Sequence, residues 1–234
     1  GICMLILDLG RPERAFNTML HPHPVSPMSW GSMVIVIFMV LALAYWLAHT
    51  GVIVKRVLKP LWNLLVRLKT ILGILGGMFA FMTGAYTGIL LTYARHAVWA
   101  STALPALFLA SALATGYALF SVIVERTGEV HGTGLAAKIP MYEAVLGVLE
   151  LAAAGAYVAL LPAEARAALL SASNPYGLMF LLVFLLAGVI FGEIVLPLLE
   201  VKTGGSATLF LSAFLTLLGG LALRYVVVFL GQSI

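Results

Sequence analysis

The chain has 234 residues, of which 62% are hydrophobic and 9% carry a charge. Soluble domains carry roughly 25% charged residues, so this composition excludes a soluble enzyme, and the length excludes a single-span anchor. The net charge of +4 does not indicate nucleic-acid binding, because the basic residues lie in short connections between apolar runs. A single cysteine, Cys3, excludes a disulfide framework, a cysteine-ligated iron–sulfur cluster and a thiolate zinc site on this chain. The composition therefore indicates a polytopic membrane protein.

Six apolar runs reach the length of about 20 residues that a transmembrane helix needs. None of them alternates with period two, so we expect an all-α helical bundle and no barrel. The predicted spans are 30–54, 70–93, 98–124, 141–161, 176–200 and 206–230, all within one transmembrane domain over 1–234. Residues 1–7 are apolar but too few to span. We expect them to end a further helix whose beginning is missing, or else to form a short re-entrant or interfacial tail.

Glycine and proline inside the runs predict how the helices pack. Small residues four positions apart let helix backbones approach closely in lipid. Two such pairs occur in the second run: Gly73/Gly77 and Gly84/Gly88. Pro105 and Pro197 lie inside two other runs, where we expect them to kink the helices.

The distribution of lysine and arginine predicts the sidedness of the six spans. One side of the bundle carries four of them: Arg11, Arg14, Arg95 and Arg166. The other side carries eight: Lys55, Arg56, Lys59, Arg67, Lys69, Arg126, Lys138 and Lys202. The positive-inside rule makes the second side cytoplasmic. We therefore expect a cytoplasmic (inner) membrane protein with loop 8–29 and the C-terminus on the extracytoplasmic side.

Loop 8–29 is unusually rich in polar residues and prolines for a segment at a membrane surface. Prolines fix φ and remove N–H donors, so we expect a rigid, non-helical segment. Asp8 stands where an apolar stretch meets water, within reach of Arg11 or Arg14. Such a pair either has a structural role and connects the loop to a helix end, or it accepts a proton or a hydrogen bond from a hydroxyl-bearing head group at the membrane surface.

The histidines do not predict a metal or haem site. His21 and His23 are one residue apart, but further ligands with suitable spacing are missing, so they are interpreted as surface residues. His49 and His96 lie at helix ends. No two histidines stand mid-span on facing helices, where a bis-histidine haem would need them.

Four segments together carry a family resemblance. They are Asp8-Leu-Gly-Arg-Pro-Glu-Arg14, Ser26-Pro-Met-Ser-Trp-Gly31, Gly84-Ala-Tyr-Thr-Gly-Ile-Leu-Leu91, and Gly219-Gly-Leu-Ala-Leu-Arg-Tyr-Val-Val-Val228 followed by Gly231-Gln232. In this order the segments resemble the NrfD-like family of polysulfide reductase membrane subunits. The first two segments are the most specific, and the resemblance extends over the whole chain.

The resemblance implies a quinone-reactive membrane anchor of eight, sometimes ten, helices in two four-helix bundles. Such anchors carry no haem, iron–sulfur cluster or other redox cofactor of their own, and they bind a quinone such as menaquinone from the membrane pool. Their partners are a ferredoxin-like iron–sulfur subunit and, through it, a molybdopterin catalytic subunit. The six spans, with two further helices before them, would give eight.

The resemblance also implies part of a quinone site. Asp8 would accept or relay a quinol proton, and Arg11 would stabilise the charge and the orientation of the Asp8 carboxylate. Tyr86 would donate a hydrogen bond from its hydroxyl to a quinone carbonyl. Ser29 and Trp30 are further candidates for contact with the quinone. For Tyr86, a place in the aromatic belt at the membrane interface is the alternative. The resemblance implies that other polar residues of the site, including a histidine, come from early helices that we expect to precede residue 1.

Charged residues inside the spans form a second group of candidates. Placing a charge at the bilayer centre costs at least roughly 2.5–3.5 kcal/mol, which makes such residues functional candidates. Glu143 and Glu150 are seven residues apart and so share a helix face, and Glu193 lies in the fifth span. These three are predicted to form a proton path from the cytoplasm toward the quinone site. The alternative is that each is a protonated glutamate bonded to a neighbouring helix, or one that reaches toward a helix end.

The leading interpretation is therefore a membrane subunit that exchanges electrons between the quinone pool and an iron–sulfur partner, within a complex that reduces sulfur compounds. Glu150, Glu193 and Arg224 also fit a proton- or solute-translocating transporter. A purely structural anchor is a third possibility.

Overall fold

The computed structural model describes residues 27–50, 59–94, 96–128, 138–203 and 206–233. Within these ranges the chain is 90% helical and has no strand. Six of the helices are long and apolar enough to cross a membrane. The prediction of an all-α membrane protein with six spans is thereby confirmed.

The described helices are named α1 to α8 in chain order. They are α1 (Pro27–Thr50), α2 (Lys59–Arg67), α3 (Lys69–Thr92), α4 (Leu104–Thr127), α5 (Ile139–Leu160), α6 (Ala163–Leu170), α7 (Pro175–Met179, Phe180–Val195 and Leu196–Thr203 in succession) and α8 (Ser206–Ser233). The chain divides into two compact units, residues 1–86 and residues 87–234. A single transmembrane domain over the whole chain stays a prediction.

The first unit contains α1, α2 and most of α3. Its spans are mostly exposed: 11% of the apolar window of α1 and 6% of that of α3 is buried. Between them in the chain lies α2, a short helix with polar and apolar faces. The exposure means that this unit presents much of its apolar surface to surroundings such as lipid.

Pro105 does not kink its helix, contrary to the prediction. The third span was predicted from residue 98, but α4 begins at Leu104, and Pro105 is the second residue of the helix. A proline is readily accommodated in the first helical turn, because the N–H that it lacks has no acceptor there. Val98 and Trp99 lie in the turn before the helix and are buried.

The fifth span continues through Pro197. The residues before the proline, Phe180–Val195, form a wider π-helical stretch, and the Leu196 N–H donates to the carbonyl oxygen of Phe191, five residues back. π-Helical turns are rare and often accompany functional sites. Glu193 lies within this stretch. A kink at Pro197 itself stays a prediction.

The second unit is built around four antiparallel helices, α4, α5, α7 and α8. Ser121 of α4 donates to Glu143 near the start of α5, while Tyr157 near the end of α5 donates to Val98 just before α4. Ser111 of α4 is bonded to Arg224 of α8, and Ser212 of α8 donates to Gly192 of α7. Each pair joins the end of one helix to the start of its neighbour, as in an up-down-up-down bundle.

The closest contacts between helices occur at glycines. Most of these glycines are not the ones that were predicted to pack closely. An added Cβ on Gly77 would meet nothing within 4 Å, whereas one on Gly88 would lie 2.5 Å from the Cα of Pro105. The tightest contact in the bundle is between α7 and α8, where a Cβ on Gly188 would lie 2.7 Å from the Cα of Gly219. Gly188 and Gly192 form a small-x-x-x-small pair that the sequence analysis did not select.

The interior of this bundle differs between its two halves. We call the half that contains Thr127, Ile139, Thr203 and Ser206 the carboxyl half, and the opposite half the aromatic half. The aromatic half holds the main apolar core, whose largest fully buried members include Tyr157, Phe180, Phe184, Leu223 and Leu230. The carboxyl half has larger apolar residues at its end, Ile139 and Leu209, and is otherwise lined by small and polar buried residues: Ala118, Ser121, Glu143, Ala144, Gly147, Gly192, Ser212, Ala213 and Thr216.

Candidate functional site

Two of the segments that carried the family resemblance meet in the first unit. The ring of Tyr86, on α3, lies directly against Gly31, in the first turns of α1, and occupies the space that any side chain at residue 31 would need. Gly31 is buried and Tyr86 is partly buried. The glycine at the end of the Ser26–Gly31 segment is therefore what lets the tyrosine of the Gly84–Leu91 segment approach α1.

The other two candidates on α1 have different environments. Ser29 is buried, with 5% of its surface exposed, whereas Trp30 is 58% exposed. The Ser29 carbonyl oxygen accepts a hydrogen bond from Ser32 Oγ at 2.9 Å. An exposed tryptophan at a helix end is typical of the membrane interface. Asp8 and Arg11 lie outside the described residues, so their predicted roles stay predictions.

In the second unit, the three glutamates of the predicted proton path are all deeply buried. Glu143, Glu150 and Glu193 are 2%, 1% and 2% exposed. Glu150 of α5 and Glu193 of α7 share a side-chain hydrogen bond. Two buried carboxyl groups therefore lie close together between two membrane-spanning helices.

Arg224 provides a positive charge beside this pair. Its Nη1 donates to the carbonyl oxygen of Gly220 at 2.7 Å and lies 3.4 Å from Ser111 Oγ. The guanidinium interacts electrostatically with Glu150 and lies 5.9 Å from the ring centre of Phe108. Charge at bilayer depth is costly, and the carbonyl oxygen and the hydroxyl that contact the guanidinium lower that cost.

Two helix faces with the same spacing bring the carboxyl groups together. Glu143 and Glu150 on α5 are seven residues apart, and so are Glu193 and Glu200 on α7. Because the helices are antiparallel, Glu150 bonds to Glu193 while Glu143 interacts electrostatically with Glu200. Glu200 was not among the residues predicted from the sequence, because it stands at the end of its span. The repeated spacing of seven was the signal that could have found it.

Glu143 is hydrogen-bonded to a neighbouring helix through only one of its two carboxyl oxygens. Its Oε1 accepts a hydrogen bond from Ser121 Oγ at 3.3 Å, and its Oε2 has no hydrogen-bond partner among the described residues. Thr216 Oγ1, next to Gly192 on the facing helix, is also buried without a partner there. Buried polar atoms of this kind usually bind ordered water.

No metal centre is found in the part of the chain that the structure describes: it contains no group of three or more histidine, cysteine, aspartate or glutamate residues able to hold an ion. The polar sites are instead made of hydroxyl, carboxyl and guanidinium groups. Such groups bind protons, water and hydrogen-bonding head groups.

The comparisons with known proteins agree with this architecture. The family described as "Polysulphide reductase, NrfD" matches the chain over residues 1–234. No curated protein and no solved structure matches it. Subunits of this family are quinone-reactive membrane components of polysulfide-reductase-type complexes. The match covers the entire sequence and the chain has six apolar helices, so this multi-pass membrane protein belongs to the NrfD family of polysulfide reductase membrane subunits.

Proposed function

We propose that this protein oxidises quinol, or reduces quinone in the reverse direction, at a site formed by loop 8–29 and Tyr86. It exchanges the electrons with a ferredoxin-like iron–sulfur subunit that serves a molybdopterin catalytic subunit, within a complex that reduces sulfur compounds. The site faces the extracytoplasmic side of the inner membrane. The chain thus acts as the link between the quinone pool and a catalytic partner outside the cytoplasm.

The contact of Tyr86 with Gly31 is the observation that carries this proposal. It joins two segments that are separated by more than 50 residues and that both carried the family resemblance. The ring is fixed by the backbone of α1, while the residue remains partly accessible. A phenol held in this way is suited to donate a hydrogen bond to a carbonyl oxygen of a ligand.

The donor set at this end of the first unit fits a quinone head group. A quinone takes up two electrons and two protons when it is reduced. Its carbonyl oxygens need donors, which the Tyr86 hydroxyl can supply, with the buried Ser29 as a second polar residue of α1. Asp8 would accept a proton from the bound quinol, and Arg11 would stabilise the carboxylate. Trp30 offers an exposed aromatic face for the apolar part of the ligand.

The test is Tyr86→Phe in the complex purified from membranes in mild detergent. We expect the rate of quinol-linked turnover to fall by roughly 10–1,000-fold, because a donor to the reacting oxygen is lost. Electron transfer from a reduced soluble dye to the catalytic partner should be unchanged. Tyr93→Phe, at the 68% exposed tyrosine just after the same helix, is the matched control. Equal turnover in both variants would remove Tyr86 from the site.

The partners are tested by mass spectrometry of the same preparation. An iron–sulfur protein and a large molybdopterin subunit should co-purify, with quinone in the lipid extract. The identity of the large subunit would then indicate the terminal substrate. A chain that purifies alone and without quinone would contradict the proposal.

A transporter is the competing function, and the buried pair Glu150–Glu193 beside Arg224 favours it. Transport depends on a gradient of proton or solute and continues without a redox partner. A quinone-reactive subunit shows no activity until the iron–sulfur protein is present. Proton flux across liposomes that contain the chain alone, unaffected by addition of quinol and partner, would identify a transporter.

A further inference from the structure

A groove between α4 and α5 lies on the outer surface of the second unit. It has a volume of about 540 Å³, within the roughly 300–1,000 Å³ that small-molecule sites occupy. Its walls include Leu113 and Phe120 of α4 and Val145 of α5, which are 43%, 47% and 48% exposed. Both helices are long and apolar enough to cross a membrane. The groove therefore opens toward the hydrocarbon of the lipid and not toward the interior of the bundle.

Gly116 of α4 keeps the groove open. The residue lines the groove and is exposed, and an added Cβ would meet nothing within 4 Å. No neighbouring helix therefore occupies the space in front of this glycine. A long side chain at residue 116 would extend into the groove and fill part of it.

The length of the groove corresponds to one leaflet of a bilayer. On α4 it extends from Ala112 to Phe120, eight residues or about 12 Å along the helix axis. On α5 it ends at Tyr142, in the first turn of the helix. One half of the hydrocarbon core is about 15 Å thick. The groove is therefore long enough for much of one acyl chain that enters from the membrane surface at the start of α5.

Two tyrosines stand where the groove approaches the membrane surface. Tyr117 of α4 and Tyr142 of α5 are in edge-on ring contact, with centroids 6.5 Å apart. Both line the groove, and Tyr142 is 51% exposed. A tyrosine joins an apolar ring to a hydrogen-bonding hydroxyl and is enriched at the boundary between lipid tails and head groups. The rings can contact an acyl chain while a hydroxyl binds an oxygen of a head group.

The described charge at this end of the groove is positive. Lys138 is exposed and precedes Tyr142 by four residues, one helical turn farther out on the same face. The nearby acidic residues lie elsewhere: Glu143 is 2% exposed, and Glu125 is nine residues, or two and a half turns, from Gly116 and so on the opposite face of α4. A ligand whose polar end carries a negative charge therefore complements the groove.

We propose that this groove binds a phospholipid with an anionic head group. One acyl chain lies between α4 and α5 over Gly116, and the phosphate contacts the ammonium group of Lys138. The hydroxyl of Tyr142 donates a hydrogen bond to a head-group oxygen. Lys138 belongs to the side of the bundle predicted to be cytoplasmic, where anionic lipids give the leaflet its negative surface potential. The site goes beyond the proposed quinone chemistry and does not depend on it.

Native mass spectrometry of the purified, delipidated complex tests the proposal. Phosphatidylglycerol and phosphatidylcholine with identical acyl chains are the two probes, and each is titrated into the wild type and the variants. We expect Lys138→Gln to weaken the binding of one phosphatidylglycerol roughly fivefold, the factor for one lysine beside an anionic lipid. The binding of phosphatidylcholine should not change. Lys69→Gln, at an exposed lysine at the start of α3, is the matched control and should leave both affinities unchanged.

A second variant tests the groove itself. Gly116→Leu should abolish this lipid site, because the new side chain occupies the space of the acyl chain. Gly155→Leu, at an exposed glycine of α5 where a Cβ also meets nothing within 4 Å, should retain it. If Gly116→Leu does not assemble, Lys138→Gln decides, since Lys138 precedes the helix and is exposed.

Three results would overturn the proposal. The first is equal binding of phosphatidylglycerol to the wild type and to Lys138→Gln. The second is a Gly116→Leu complex that loses quinone but keeps its phospholipid, which would assign the groove to a quinone tail. The third is loss of a protein subunit from that variant, which would assign the groove to a partner. Quinol turnover is measured on the same samples, so failure of the Tyr86 site is seen separately from failure of the lipid site.

Discussion

The two halves of the second unit use the same four helices in opposite ways. In the aromatic half, large apolar side chains fill the interior, and the tryptophan and tyrosine polar atoms are bonded to backbone carbonyls. In the carboxyl half, small residues leave room for Glu143, Glu150 and Glu193, and some buried oxygens lack protein partners among the described residues. The free-energy cost of burying polar groups is thus confined to one half of the bundle. Residues that stabilise the fold are therefore expected in the other half. Substitutions should therefore lower stability in the aromatic half and change proton binding in the carboxyl half.

Phe184→Ala should have the largest effect on stability. The side chain is fully buried in the aromatic half, and its loss leaves a cavity that costs about 3–5 kcal/mol. The measurement is the free energy of unfolding in mixed micelles titrated with a denaturing detergent. Phe191→Ala, at a 46% exposed position of the same helix, is the control and should change it little. Equal losses in the two variants would contradict the assignment of this half as the core.

Gly219→Ala should have the next largest effect. Gly188 and Gly219 pack backbone against backbone, so a methyl group on either must separate α7 from α8, at a cost of about 1–3 kcal/mol. Gly155→Ala, where a Cβ would meet nothing within 4 Å, should leave the stability equal or slightly higher. Thermal unfolding of the two variants in the same detergent compares them directly. A more stable Gly219→Ala would show that the helices do not approach as closely as described.

Tyr157→Phe should have a smaller effect of the same kind. It removes one buried hydrogen bond to the Val98 carbonyl and keeps the ring, so we expect a loss of about 1 kcal/mol. Tyr225→Phe, at a 45% exposed residue of α8, serves as control. If the two variants unfold at the same temperature, the Val98 carbonyl has another partner and the turn before α4 is held by packing alone.

Glu143→Gln should have the smallest effect on stability and a clear effect on proton binding. The glutamine oxygen can still accept the hydrogen bond from Ser121, so the free energy of unfolding should change by less than about 1 kcal/mol. The infrared spectrum should nevertheless lose the carbonyl contribution of one buried carboxyl group, because Glu143 is 2% exposed and carries the exchanged group. A strongly destabilised variant with an unchanged spectrum would reverse the roles assigned to the two halves.

The candidate sites could be predicted from the sequence only in part. Glu143, Glu150 and Glu193 were selected because charge inside an apolar run is rare and costly. Glu200 was missed because a glutamate at the end of a span is ordinary. Only the antiparallel packing of α5 against α7 gives it a role, by placing it opposite Glu143. The position of Arg224 inside an apolar run indicated a buried charge, but its contacts with Ser111 and Gly220 could not be predicted from the sequence.

The sequence by itself determined the number of spans, the all-helical class and the family, because these follow from apolar length and from short local motifs. The start of α4 was predicted at the wrong residue, because the apolar turn at Val98 and Trp99 cannot be distinguished from a helix by hydropathy. Tertiary structure alone decided which glycines bring helices together and which carboxyl groups become partners. These properties depend on the register between helices, and a register is set by packing across the bundle, where residues far apart in the chain meet.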